Sequence, residues 1–249
     1  MIELKTQDDI KRIRESCRIT AYVLNRLKEM VRPGVPSIEL DAAARRMTKE
    51  KKVRPAFLGY RGYPAAVCVS INREVVHGIP SEERAFKEGD IVSIDFGVEA
   101  GGFFGDSAVT VGAGKTGPAA LKLMEVTAAC LERGIEKSVP KNRLYDISAA
   151  IQQHAESSGF SVVRDFVGHG IGKQMHEEPM IPNYGRPGTG EELKEGMVFA
   201  IEPMVNTGGY EVVVLDDEWT VVTKDGGLSA HYEHVVAVTK NGPEVLTKE

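Results

Sequence analysis

Apolar residues recur at near-helical spacing through Ile10, Ile13, Cys17, Ile19, Ala21, Leu24, Leu27 and Val31. The stretch Thr6-Gln7-Asp8-Asp9 before them resembles a capping box, and Pro33-Gly34 ends the helix they predict. A second helix starts at Ser37 and runs to about Lys51 through Leu40, Ala43 and Met47. Strands are expected at about Ala65–Ile71, Ile91–Val98 and Phe103–Val111. Two more helices follow, about Pro118–Lys137, stopped near Pro140, and about Leu144–Ser157, closed by Gly159. The remainder reads as β: about Ser161–Arg164, Val198–Val205, Tyr210–Val214, Trp219–Thr223 and Tyr232–Thr239.

The order is helix, helix, strands, then helix, helix, strands. A shift of 107 residues aligns Pro33 with Pro140, Glu39 with Asp146, Leu40 with Ile147, and Ala42-Ala43 with Ala149-Ala150. A two-fold pseudo-repeat with halves of about 1–112 and 113–249 is therefore expected. No Ser/Gly-rich linker divides the 249 residues, which predicts one α+β domain. Its strands would form one curved antiparallel sheet, with the helix pairs on the outer face.

Composition narrows the function classes. The formal net charge of −5 offers no basic excess for nucleic acid, and no run approaches the ~18 apolar residues of a membrane span. The first residues lack the apolar core of a signal peptide, and Cys17, Cys68 and Cys130 are too scattered for a disulfide framework. A cytoplasmic protein is expected.

The segment from Ile91 to Val111 holds the first chemical clue. Its flanking runs are apolar and rich in β-branched residues, so a tight turn at Ala100-Gly101 would place Asp95 directly opposite Asp106. Two carboxylates at that distance repel, so either one is protonated or a cation lies between them. Further ligands downstream favour the cation. Glu202 and Glu233 lie in or at the head of apolar strands, where a carboxylate is costly unless paired or metal-bound. His169 sits between Gly168 and Gly170, which leave room for a metal or substrate. Taken singly, each is more often a salt-bridged or turn residue; their order and settings together change that balance.

Several stretches carry a resemblance: Gly59-Tyr60-Arg61-Gly62-Tyr63-Pro64, Cys68-Val69-Ser70-Ile71-Asn72, Val76-His77-Gly78-Ile79-Pro80, Ser93-Ile94-Asp95, Gly105-Asp106-Ser107, Gly168-His169-Gly170-Ile171-Gly172, His176-Glu177-Glu178-Pro179, Ile201-Glu202-Pro203 and Ser229-Ala230-His231-Tyr232-Glu233-His234. In this order the chain resembles the type I methionine aminopeptidases of the pita-bread fold, over essentially its whole length. The resemblance implies a hydrolase that removes the initiator methionine from nascent chains when the second residue is small.

By the same resemblance, Asp95, Asp106, His169, Glu202 and Glu233 would hold two divalent ions, with Asp106 and Glu233 bridging. One imidazole among four carboxylates suits Mn²⁺, Fe²⁺ or Co²⁺, with Zn²⁺ also open. His77 would contact the substrate backbone, His176 would donate to the carbonyl oxygen, and Glu202 would shuttle a proton. The methionine pocket falls to Tyr60, Tyr63, Cys68, His77, His176 and Trp219, with Met175 standing where the family pattern usually has an aromatic residue. A Na⁺ or K⁺ site is implied at Asn72, Glu74 (backbone) and Ser229. The implied partners are N-terminal methionine peptides and, transiently, the ribosome; a monomer that binds neither specific nucleic acid nor membrane is expected.

Two rivals differ in class. An Xaa-Pro peptidase would share the ligand set but usually carries an extra N-terminal domain, whereas helix begins here within the first ten residues. A non-catalytic binding module on the same fold would be expected to have lost ligands, and all five are present. The type II subclass would need a large insertion between His169 and Glu233. Gly112-Ala113-Gly114-Lys115-Thr116 is not a phosphate loop, because Val109 stands where its first glycine belongs.

Overall fold

The computed structural model describes residues 2–249. In chain order, α1 (Gln7–Glu29) and α2 (Ile38–Lys51) precede β1 (Arg54–Pro55), a 3₁₀ turn at Tyr60–Gly62, β2 (Cys68–Ile71) and β3 (Glu74–Val76). The hairpin β4 (Ile91–Ala100) and β5 (Phe103–Gly112) leads into α3 (Pro118–Lys137) and α4 (Leu144–Ser157). Then come β6 (Ser161–Val162), β7 (Gly168–Gly170), β8 (Glu177–Ile181), β9 (Val198–Ile201) and β10 (Met204–Asn206). The chain closes with β11 (Val212–Val214), β12 (Val221–Thr223), β13 (Ser229–His231), β14 (His234–Thr239) and β15 (Gly242–Val245). Among the described residues, no helix is long and apolar enough to cross a membrane.

The four helices fall where periodicity and punctuation place them. Thr6 forms the expected capping box, its hydroxyl accepting from the Asp9 N–H at 3.1 Å while the Asp9 carboxylate accepts from the Thr6 N–H at 3.0 Å. Ser37 precedes α2 without capping it, because its hydroxyl is held by the backbone of Ser81. Leu40 and Ile147 anchor α2 and α4 in two separate apolar cores, the first beneath β4 and the second beneath β9 and β14.

The strands pair in four antiparallel sheets: β4 with β1, β2 and β5; β10 between β6 and β13; β12 between β3 and β11; and the path β15-β14-β9-β7-β8. One long expected strand is interrupted and another starts late. Val198–Val205 breaks at Glu202-Pro203, since Pro203 has no N–H for a ladder, and the chain passes from one sheet to another between β9 and β10. Its partner, expected from Tyr232, begins only at His234, with Tyr232-Glu233 separating β13 from β14. Both glutamates therefore stand at a seam between sheets. The strand expected from Ala65 forms a ladder only from Cys68, the Ala66 N–H being taken by the Asp41 carboxylate at 2.6 Å.

The hairpin register differs from the expected one by two residues. Asp95 faces Ala108 and Asp106 faces Gly97. The two-residue loop is Gly101-Gly102, with φ of 57° and 82°, because a tight hairpin turn of this kind needs two positive φ values that Ala100 would resist. A shift of two keeps every side chain on its own face, so both carboxylates still point to the same side.

Gly105 sets how closely α1 approaches this hairpin. Ser16 and Thr20 of α1 donate to the carbonyls of Phe103 and Gly105 at 2.9 and 3.1 Å. A Cβ on Gly105 would lie 2.6 Å from the Cys17 backbone nitrogen. Gly105→Ala should destabilise the fold by about 1–3 kcal/mol through overpacking. Chemical denaturation measures this; an unchanged midpoint and slope would contradict the close approach.

Candidate active site

The seams and the hairpin converge on one buried place. Asp95 comes from β4, Asp106 from β5 and His169 from β7, while Glu202 and Glu233 come from the two sheet junctions. Asp106, His169 and Glu233 are each buried and present ligand atoms within 4.8 Å of one another. The Glu202 carboxylate lies 3.5 Å from His169 Nε2. Among the ion pairs of the described residues, none joins these four carboxylates to a lysine or arginine. One oxygen each of Asp95, Asp106 and Glu233 is buried with no hydrogen-bond partner.

Four carboxylates so placed are poorly ionised. Burial, then mutual repulsion, pushes Asp95, Glu202 and Glu233 well above the usual carboxylate range, and burial raises Asp106. Burial also lowers the His169 ring to about 3 and the His77 ring to about 4. His169 Nδ1 donates to the Gly170 carbonyl at 3.0 Å, which leaves Nε2 as a bare lone pair facing Glu202. Orphaned carboxylate oxygens around a fixed imidazole lone pair suit a divalent cation.

A cavity of about 280 Å³ opens beside the cluster. The residues expected for the methionine pocket, Tyr60, Tyr63, Cys68, His77, Met175, His176 and Trp219, all line it together with the five acidic and imidazole groups. Tyr63, Cys68 and Met175 share one apolar cluster, with Tyr60 and Trp219 packed against it. Trp219 stands edge-on to Tyr63 at 5.0 Å and to His77 at 6.2 Å, and its loop is pinned by Asp217 rather than lying in a strand. His77 has a left-handed backbone, φ 62°. The His176 ring lies tilted beside His169 with centroids 4.2 Å apart and bonds Tyr60 Oη through Nδ1 at 2.8 Å. Burial pushes the Cys68 thiol well above its ordinary value, so it is a wall and not a nucleophile.

The structure also brings in residues that sequence reasoning did not single out. Phe57, Arg61, Val76, Phe166 and Val167 line the cavity, and Phe166 packs edge-on against His77 at 5.6 Å. His231 is 1% exposed, with Nε2 3.8 Å from Glu202. Away from the cavity, the Ser229 N–H donates to the Asn72 carbonyl at 2.8 Å and the Ser229 hydroxyl is buried without a partner. The Glu74 carboxylate is held by Arg84 and by the Ile71 N–H.

A model of metallopeptidase family M24 matches residues 11–240. The chain belongs to metallopeptidase family M24. It is 53% identical to the methionine aminopeptidase of Clostridium perfringens, across 99% of both chains. Among solved structures it matches the methionine aminopeptidase of Thermotoga maritima with TM-score 0.98 and 47% identity, covering 100% of each chain. The Pyrococcus horikoshii prolidase matches with TM-score 0.80 at 22% identity, over 98% of this chain and 63% of that one, which shows a shared fold. This M24 chain thus has the pita-bread architecture, and the family's use of divalent metal agrees with the orphaned carboxylates.

The same electrostatics make the metal-stripped M24 protein pH-sensitive. Raised carboxylate pKa values mean that the folded state binds more protons than the unfolded chain, so stability falls as pH rises. The depressed imidazoles act the other way, until the unfolded-state rings lose their protons about one pH unit above 6.5. From about pH 7.5 to 8.5 the carboxylates dominate, and the melting temperature of stripped protein should fall while saturating divalent ion flattens the profile. A flat or rising profile without metal would contradict the buried cluster.

Proposed function

We propose that this M24 protein is a methionine aminopeptidase acting on N-terminal methionine peptides of nascent chains whose second residue is small. The observation that carries the reading is the apolar cavity, floored by Asp95, Asp106, His169, Glu202 and Glu233 and walled by Tyr60, Tyr63, Cys68, Met175 and Trp219. The five floor residues would hold divalent metal, two ions of Mn²⁺, Fe²⁺, Co²⁺ or Zn²⁺. Such ions supply Lewis acidity that activates water near neutral pH.

The chain's own groups do the rest. Glu202 takes the proton released by the attacking water at a carboxylate oxygen and passes it to the leaving amine. His176, with Nδ1 accepting from Tyr60 Oη, keeps its proton on Nε2 and through it hydrogen-bonds the carbonyl oxygen as charge develops there. His77, neutral because burial lowers its pKa to about 4, binds the substrate backbone near the scissile nitrogen. The flexible thioether of Met175 packs against the substrate's own thioether, so the departure from an aromatic residue is tolerated. Asn72, Glu74 (through its backbone) and Ser229 would hold a Na⁺ or K⁺ ion. Nascent chains as substrate imply a cytoplasmic monomer in transient contact with the ribosome.

Chelation should abolish methionine release from Met-Ala-Ser, and Mn²⁺, Fe²⁺ or Co²⁺ should restore it without restoring cleavage of Xaa-Pro peptides. Glu202→Gln should lower kcat by about 10²–10⁴-fold with KM within about threefold. A pure KM effect would remove Glu202 as the proton carrier, and no metal-dependent release of methionine would remove the aminopeptidase reading.

A further inference from the structure

His231 is buried beside the site, its backbone is held on both sides, and it has no place in the scheme above. Its backbone N–H donates to the Thr110 hydroxyl at 2.9 Å, and its carbonyl accepts from the same hydroxyl at 2.8 Å. That leaves Thr110 no second proton, so the 2.8 Å contact with Ser93 is donated by Ser93. Ser93 and Thr110 face each other across β4 and β5, on the same side as Asp95 and Asp106, two and four residues away. The Tyr232 hydroxyl adds a bond to the Thr110 carbonyl at 2.8 Å, and Met204, two residues after Glu202, pairs with His231 in the ladder. The hairpin that carries two of the acidic groups thus also fixes where His231 stands.

The side chain, by contrast, is unclaimed. Both ring nitrogens are buried without a hydrogen-bond partner, a costly arrangement unless one of them serves a group in the cavity. The facing group is Glu202, whose Oε2 is 3.8 Å from Nε2. His169 also approaches Glu202, at Oε1 and 3.5 Å, but its proton is committed to the Gly170 carbonyl. Two lone pairs face each other there, as befits two ligands turned to one ion. Of the two imidazoles beside Glu202, only His231 has an N–H to give.

We propose that His231 is a positioning residue for Glu202: its Nε2–H donates to Oε2, which sets the rotation of the carboxylate and leaves Oε1 on the side of His169. At 3.8 Å the contact is longer than a hydrogen bond. A small carboxylate rotation on substrate binding closes it, as site hydrogen bonds commonly tighten in the substrate complex. No proton moves to or from His231. The proposal rests on the aminopeptidase reading for its kinetic consequences, though not for its effect on ion binding.

Three variants test it in the metal-loaded enzyme. His231→Phe keeps a ring of similar shape and removes both nitrogens; His231→Leu carries the same expectation should the phenylalanine not fit. His231→Gln restores a donor. The phenylalanine variant should lose about 10–100-fold in kcat, with KM within about twofold and the melting temperature of the stripped protein near wild type. Glutamine should recover most of that loss. In a Glu202→Gln background the further loss from His231→Phe should be under about twofold, because the residue acts through Glu202. Calorimetric titration of the stripped proteins with Mn²⁺ should show affinity weakened by about tenfold in His231→Phe and not in His231→Gln.

Wild-type kcat and Mn²⁺ affinity in His231→Phe would overturn the proposal. So would equal losses with Phe and Gln, or an undiminished loss in the Glu202→Gln background, which would mark a packing role. Failure of the wild-type protein to release methionine would sink the aminopeptidase reading alone, and the Mn²⁺ titrations would still decide the case of His231.

Discussion

Four carboxylates, those of Asp95, Asp106, Glu202 and Glu233, share one buried space, and no lysine or arginine among the described residues pairs with any of them. In water such a group would disperse, and inside a protein each ionised member raises the cost of ionising the next. The folded chain alone meets that cost only by holding protons or by leaving carboxylate oxygens without partners, and it does both. A multivalent cation removes the conflict, because the same geometry that is repulsive without it becomes a ligand set with it. The stability of the fold and the chemistry of the site are therefore consequences of the same electrostatic conflict.

The backbone architecture serves to keep these groups from escaping. The β4–β5 hairpin holds its two aspartates on one face, and α1 is locked against its back through Ser16, Thr20 and the bare Gly105. Glu202 and Glu233 stand where strands pass from one sheet to the next, so neither belongs to a continuous ladder and both can turn inward. His169 is oriented by its own neighbour's carbonyl. The apolar wall of Tyr63, Cys68, Met175 and Trp219 then excludes water on the other side, which strengthens every charge interaction within. One cavity thereby joins a floor of acidic and imidazole groups to an apolar wall.

Much of this was legible in the chain, for identifiable reasons. Helices α3 and α4 begin and end where Pro118, Leu144 and Gly159 indicate, since long periodic segments with clear stops leave few alternatives. The hairpin was visible in its β-branched runs, but its register was not, because choosing between Ala100-Gly101 and Gly101-Gly102 requires knowing that both loop residues adopt positive φ. Strands of two to five residues such as β3, β7 and β8 carry no periodicity to detect; His169 was found through its flanking glycines alone. The break at Glu202-Pro203 has its signal in the proline, while the apolar run on either side of it continues as in a single strand. Phe166 carries no signal, and His231, though inside a matching stretch, has none of its own, since the importance of both lies in what they face after folding.

The most direct measurement is an anomalous diffraction map from crystals soaked in Mn²⁺. The account predicts peaks lodged among Asp95, Asp106, His169, Glu202 and Glu233, with ligand distances of about 2.0–2.3 Å. Peaks confined to the protein surface at saturating Mn²⁺, with the cluster holding none, would contradict it: the buried carboxylates would then be held by protons alone, and the site would have no metal chemistry to perform.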